Sequence, residues 1–299
     1  SENQKHSIMD NIKKYKVKFL TFTNKLILFS NYSISYFFSR FGNNLQQIAI
    51  GILYANKNKA NFYLKDFEYI DNFSIINSRF SNLFAFFKKH YRFFYFSANQ
   101  DFPKNALSSD YIYKNIEKVF KSQISTRLKF LGDINIDENT LVIHIRSGDI
   151  FDLPINSYHQ NPLNFYIEII KDFNEVLLVT SIEKNNPVCD ELLKFKKVSL
   201  QTSTIENDFN TLCNATNLCT SGVGTFPVAA ALISEKLKNF YYTNLYSIDH
   251  LNPEMIINPE VKHHKFEILD EYRKQYNETL DFRSLILDKT VIVKKAQSL

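Results

Sequence analysis

"TLVIHIRSGD", residues 140–149, is the stretch on which the reading of this chain turns. Thr140 to Ile145 are apolar or β-branched apart from one histidine, and the run has the length of a strand buried on both faces. Arg146, Ser147, Gly148 and Asp149 stand where such a strand must end. Residues two apart on a strand share a face, so His144 and Arg146 point the same way. A histidine, an arginine and a Gly-Asp turn delivered to one end of a buried strand predict a polar site beyond that end.

The pattern continues outward from this strand. After a long loop from Ser147 to Pro162, "LNFYIEIIKDF" reads as a helix and "EVLLVTS" as a strand. "PVCDELLKF" is a helix, "KVSLQT" a short strand and "IENDFNTLCNA" a helix. "TNLCTS" is a strand, "TFPVAAALIS" a helix and "NFYYTNL" a closing strand. Strands joined by helices of this length predict a parallel sheet with right-handed crossovers. Ligands on such sheets bind beyond the carboxyl ends of the strands. Toward the N-terminus, "FGNNLQQIAIGILYA" carries Leu45, Ile48, Ala49, Ile52 and Leu53 at helical spacing, and "NFYLKDF" reads as a strand. Residues 68–138 read as mainly helical, with "YIYKNIEKVFKSQISTRLKFL" the clearest helix. Residues 251–299 read as a polar helix around "EYRKQYNETLDFRSLIL" and a short apolar tail.

Composition narrows the function classes. The 299 residues, 44% hydrophobic and 22% charged, are a globular composition with length for one large or two medium domains. Phe (28) and Tyr (17) are abundant, Gly (6) is scarce and Trp is missing, a bias that fits an AT-rich bacterial coding sequence. The net charge of +5 is mild and concentrates at Lys13, Lys14, Lys16, Lys18, Lys289, Lys294 and Lys295. A solvated surface is the plain reading; attraction to phosphate groups or an anionic membrane is the sharper one. The Lys-rich, aromatic first 30 residues are either a helix or strand on the protein body or a peripheral membrane contact. Cys189, Cys213 and Cys219 form no CxxC, which argues for a reducing compartment and against a disulfide framework or zinc site. With no leader-like or ~18-residue apolar segment, the expected location is cytoplasmic, or peripheral to the inner membrane. No nucleic-acid module is present.

Three loops carry the candidate chemistry. They follow "TLVIHIR", "EVLLVTS" (Thr180, Ser181, Ile182, Glu183) and "TNLCTS" (Ser221-Gly222-Val223-Gly224-Thr225), and all fall on one predicted sheet edge. "SGVGTF" runs into a helix with Pro227 in its first turn, so backbone N–H groups from Gly224 onward, with the Ser221 and Thr225 hydroxyls, form an anion cradle. A capped helix after a glycine turn is the plain alternative. The P-loop and GxGxxG patterns are both unmet. Arg146 offers a fixed fork of donors suited to a diphosphate. Asp149 either orients Arg146 or holds the loop, and His144 is a core histidine or a supporting site residue. No metal is expected, since no DxD pair or second ligand stands at suitable spacing.

Together these residues resemble a family. "HIRSGD" is similar to the HxRxGD motif of the α-1,2-, α-1,6- and protein O-fucosyltransferases. "SRFGNNLQQIAIGILYA" resembles that superfamily's N-terminal loop and helix, and "NDFNTLCNATNLCTSGVGTFPVAAALIS" its last motif, in the same order over residues 38–245. The resemblance implies a GT-B-type α/β architecture: two Rossmann-like halves with parallel sheets and the active site in the cleft between them. On this basis residues 1–138 form an acceptor-side half, 139–250 a nucleotide-sugar-binding half, and 251–299 a C-terminal helical extension. It implies an inverting, metal-independent glycosyltransferase using a nucleotide-diphosphate sugar, GDP-fucose foremost, on a bacterial surface glycan such as capsule or lipopolysaccharide. No further cofactor is implied. Arg146, Asp149 and His144 would be catalytic. Asn43, Gly42, Ser221, Gly224, Thr225, Phe226 and Asp208 would bind the donor. Ser147 departs from the α-1,2 branch, which has a second basic residue there. Candidate bases for the acceptor hydroxyl are Asp149, Asp152, His159, Glu183, Asp66, Glu68 and Asp71. The alternatives are a UDP- or CMP-sugar donor, or a non-catalytic basic protein binding a polyanion such as RNA.

Overall fold

The computed structural model describes residues 31–34, 40–77, 88–91, 107–152, 158–279 and 281–296. The Lys-rich start of the chain, and with it the expected membrane contact, lies outside them.

The N-terminal elements are β1 (Asn31–Ile34), α1 (Phe41–Lys57), β2 (Asn61–Leu64), β3 (Phe73–Ile75), β4 (Lys88–Tyr91) and α2 (Ser109–Val119). They build a small sheet in the order β3-β2-β1-β4, with β1 parallel to β2 and β4 and β3 antiparallel to β2. α1 is the crossover between β1 and β2. Its residues 41–55 are all buried, so it is covered on every side, more than its apolar stripe alone requires. α2 continues into a π turn (Phe120–Ile124) and a 3-10 turn (Ser125–Arg127). The mainly helical expectation for 68–138 is therefore corrected: β3 and β4 lie in it, because pairing with β2 and β1 supplies their hydrogen bonds.

The second part holds β5 (Thr140–Ile145), α3 (Asp149–Asp152), α4 (Leu163–Ile170), β6 (Glu175–Thr180), α5 (Pro187–Leu192), β7 (Val198–Gln201) and α6 (Ile205–Cys213). It continues with β8 (Asn217–Cys219), α7 (Phe226–Ile233), β9 (Asn239–Thr243), β10 (Lys262–Ile268), α8 (Asp270–Glu278), α9 (Phe282–Leu287) and β11 (Val293–Lys295). The seven strands form one mainly parallel sheet, ordered β11-β10-β9-β8-β5-β6-β7, in which only β11 runs antiparallel. Residues 251–299, read from the sequence as a helical extension, carry α8 and α9 but also extend the sheet through β10 and β11. The expected single helix is two, because the Asp281 side chain accepts from Ser284 N and starts α9 afresh.

Strand alternation sorts the layers. Leu141, Ile143 and Ile145 of β5 pack with α4, α5, α8 and α9 on one face. Val142 faces α6 and α7, and that core runs on without a break through α1, α2 and the small sheet. The N-terminal elements thus pack directly on one face of the large sheet, the face that carries His144. Among the described residues, no helix is long and apolar enough to cross a membrane.

Candidate functional site

Following the chain from β5, the sheet grows outward to β6 and β7, then returns to place β8 on the other side of β5. The order reverses between β5 and β8, and a crevice opens beyond the strand ends at such a point. Register aligns the ends: Ile145 pairs with Thr180, and Ile143 with Cys219. The loops beginning at Arg146, Ser181 and Thr220 consequently share one edge, as the sequence predicts. A cavity of about 310 Å³ lies there, lined by residues of α1, the β5, β6 and β7 ends, α6 and the α7 N-terminus.

The N-termini of α1 and α7 meet at this cavity. A Cβ on Gly42 would stand 2.6 Å from Thr225 Oγ1 and 2.7 Å from Phe226 N, so only glycine allows the helices to approach this closely. Thr225 Oγ1 donates to Asn43 Oδ1 at 2.7 Å and ties them together. Neither helix is capped by its N-cap side chain (Arg40, Thr225), and neither has an acidic residue in its first turn. Two helix ends with positive partial charge thus have no acidic residue in their own first turns.

The β5–α3 loop adds full charges. Gly148 takes φ +85°, and its N–H donates to Asn185 Oδ1 at 2.6 Å. Asn186 Nδ2 donates to Arg146 O at 2.9 Å, and Thr180 Oγ1 sits 2.9 Å from the buried Ser147 hydroxyl. The Arg146 guanidinium lies 4.5 Å over the Tyr158 ring. Asp149 bridges two arginines: Oδ1 is 3.5 Å from Arg146 Nη2, and Oδ2 is 3.3 Å from Arg40 Nη2.

The remaining residues divide by surroundings. Burial, then the nearby Arg146 charge, pulls the His144 imidazole down to about 3, so it is neutral and weakly basic at physiological pH. Its ring lies 5.3 Å from that of Phe226, and Nδ1 is 3.4 Å from Ser221 Oγ. Asp208 Oδ1 accepts from Gln201 Nε2 at 2.8 Å and Oδ2 from Ser203 N at 3.3 Å. Burial raises its carboxyl against these bonds, and the side chain ties the β7 end to α6 while lining the cavity. The Ser181 hydroxyl, its own backbone and the Arg40 charge hold Glu183 below the usual carboxylate range.

Asn43, Gly42, His144, Arg146, Asp149, Asp208, Gly224, Thr225 and Phe226 all line the cavity. Ser221 is buried and does not line the cavity; its hydroxyl lies 3.4 Å from His144 Nδ1 and beside Gly224, which do. Of the candidate bases, Asp149 and Glu183 line the cavity. Asp66, Glu68 and Asp71 line a separate cleft beside Lys129. His159 Nε2 donates to Asn277 Oδ1 at 2.8 Å, outside the site lining, and the Asp152 side chain is outside the described residues. Sequence reasoning missed Arg40, Ser203 and Ile205, while Ile182 stands in the loop after β6 that it had singled out. Arg40 had a signal, its adjacency to Phe41-Gly42-Asn43; Ser203 and the exposed Ile205 had none. Among the described residues, no group of three or more His, Cys, Asp or Glu side chains is placed to hold a metal ion. Comparison with protein-family models, curated proteins and solved structures finds no match.

Proposed function

We propose that this chain is an inverting, metal-independent glycosyltransferase of the fucosyltransferase type, using a nucleotide-diphosphate sugar with GDP-fucose foremost. The carrying observation is that Arg146, Arg40 and two uncapped helix N-termini converge on one cavity at the point where the strand order reverses. Such a cluster of guanidinium and N–H donors suits a diphosphate. In this reading the large sheet with its helices is the donor half of a GT-B-type enzyme, and the small sheet with α1 and α2 is the second half.

The reaction forms a bond between an acceptor oxygen and the sugar C1 as the bond from C1 to the diphosphate oxygen breaks, with inversion. Negative charge grows on the departing diphosphate. Arg146, fixed by Tyr158 and by Asn186 on its carbonyl, neutralises that charge. Arg40, just before α1, supplies the second positive charge, where Ser147 stands in place of the basic residue that the α-1,2-fucosyltransferases carry after the arginine. Asn43, Thr225 and Gly224 hold the phosphates with backbone N–H groups of α1 and α7. The nucleoside lies toward Ser203, Asp208 and the half-exposed Ile205. The acceptor proton passes to a carboxylate at the mouth, Asp149 or Glu183. His144, neutral and packed on Phe226, shapes the pocket floor. The acceptor is a bacterial surface glycan, met in the cytoplasm or at the inner membrane face.

Thermal unfolding with GDP, UDP and CMP, together with nucleotide release from GDP-fucose, tests this reading. At a hundred times Kd a ligand stabilises by about 2.7 kcal/mol, or about 5 °C at roughly 2 °C per kcal/mol for a chain of this size. Stabilisation by UDP or CMP alone reassigns the donor. Failure of every nucleotide to bind, or binding undiminished in Arg146→Ala, refutes the proposal. Salt-steep binding to RNA without nucleotide binding indicates a polyanion-binding protein instead.

A further inference from the structure

The Asp149 side chain does more than a loop residue needs. Its two oxygens face two arginines from different elements, Arg40 before α1 and Arg146 after β5, at 3.3 and 3.5 Å. These separations exceed the ~2.7–2.9 Å of a tight charge-assisted pair. The Asp149 side chain is 41% exposed and that of Arg40 64%, so the bridge is solvent-reached and weak. Arg146 does not depend on it: the Tyr158 ring lies under the guanidinium and Asn186 holds the carbonyl. The loop does not depend on it either, since Asn185 takes both polar groups of Gly148. Among the described residues, the Asp149 carboxylate forms these two ion pairs and faces the like charge of Glu183.

We infer that Asp149 is an internal competitor for the anion seat between Arg40 and Arg146, and that displacing it sets which anions the site accepts. A ligand must bring anionic oxygens to both arginines to replace both contacts at once. A diphosphate does so, whereas a single phosphate exchanges one carboxylate for one phosphoryl group and gains little. Asp149 is then a specificity-determining residue that favours diphosphate esters over orthophosphate and other small anions. This rests on the donor-site reading above, and deepens it.

The test is calorimetric titration of the full chain with inorganic pyrophosphate, orthophosphate and GDP, at fixed pH and ionic strength. The proteins are wild type, Asp149→Asn and Glu183→Gln. Glu183 lines the same mouth, carries the same charge and feels Arg40 at longer range, but among the described residues forms no ion pair with either arginine, so Glu183→Gln calibrates the loss of a nearby charge without a contact. The expected result is pyrophosphate binding at least five-fold tighter in Asp149→Asn and less than two-fold tighter in Glu183→Gln. Orthophosphate should gain more than pyrophosphate, narrowing the preference between them. Weaker or unchanged binding in Asp149→Asn, or an equal gain in Glu183→Gln, overturns the inference while wild-type GDP binding leaves the donor site standing. Binding of none of these anions by any of the proteins overturns both. Circular dichroism and Asp149→Ala, expected to behave like Asp149→Asn, separate a local effect from misfolding.

Discussion

Replacing Gly42 by alanine tests how the site is assembled, because two physical effects of opposite sign meet at one methyl group. Gly42 is the second residue of α1, where alanine is intrinsically better by up to about 1 kcal/mol. Against that, the new Cβ would lie 2.6 Å from Thr225 Oγ1, 2.7 Å from Phe226 N and 2.9 Å from Phe226 Cα. Two of these are backbone atoms of α7 and have no rotamer to escape into. Overpacking of this kind costs roughly 1–3 kcal/mol, and the upper end applies here. Separating the helices also breaks the Thr225–Asn43 bond, a further loss of about 1 kcal/mol. The net expectation is destabilisation by roughly 2–3 kcal/mol, or about 5 °C in Tm, together with loss of GDP binding. Urea unfolding and thermal shift measure it. Gly132→Ala is the control, since a Cβ there meets nothing closer than 3.9 Å. Wild-type stability and nucleotide affinity in Gly42→Ala would refute the argument that direct contact between these helices builds the cavity.

Arg146→Ala should slow nucleotide release by a factor equivalent to about 2–4 kcal/mol, and Arg146→Lys should recover only part, because an ammonium cannot reproduce the fork; steady-state kinetics decide it. Asn186→Ala should cost roughly 1.5–3 kcal/mol in urea unfolding, since it removes both the support of Arg146 O and the cap on Val188 N. Burial and the Arg146 charge bring His144 to about 3, and burial foremost brings His250 and His264 to about 4, all below the usual 6.5. From pH 6.5 down to about 4 the unfolded chain binds protons that the folded chain excludes, so stability should fall as pH falls through this window. His144→Gln should flatten part of that slope, and an unchanged slope would remove His144 from the account.

The large sheet was legible because its signals are local. A buried strand is a short apolar run, a crossover helix is an amphipathic run, and "TLVIHIRSGD" ends where its glycine must turn. Thr180, Arg146 and Ser221 therefore reached one edge as expected. β4 was hidden because a short edge strand takes its hydrogen bonds from a partner far back in the chain, and β3 because a three-residue strand carries too little alternation to read. The break between α8 and α9 lay in one capping aspartate. The partial legibility of the site has the same origin: Arg146, Thr225 and Asn43 follow recognisable turns, whereas Ser203 and Ile205 have no local pattern.

By itself, then, the sequence determined that a parallel α/β sheet would present an arginine, a glycine turn and a helix N-terminus on one side. Only the tertiary structure decided that β8 returns beside β5, and that α1 lays its own N-terminus against α7 over Gly42. It also decided that Asp149 stands between arginines from two distant segments. Strand propensity and turn chemistry act within a few residues, so they can be read along the chain. Close approach of helices and the meeting of charges are set by packing of the whole core, which no local pattern encodes.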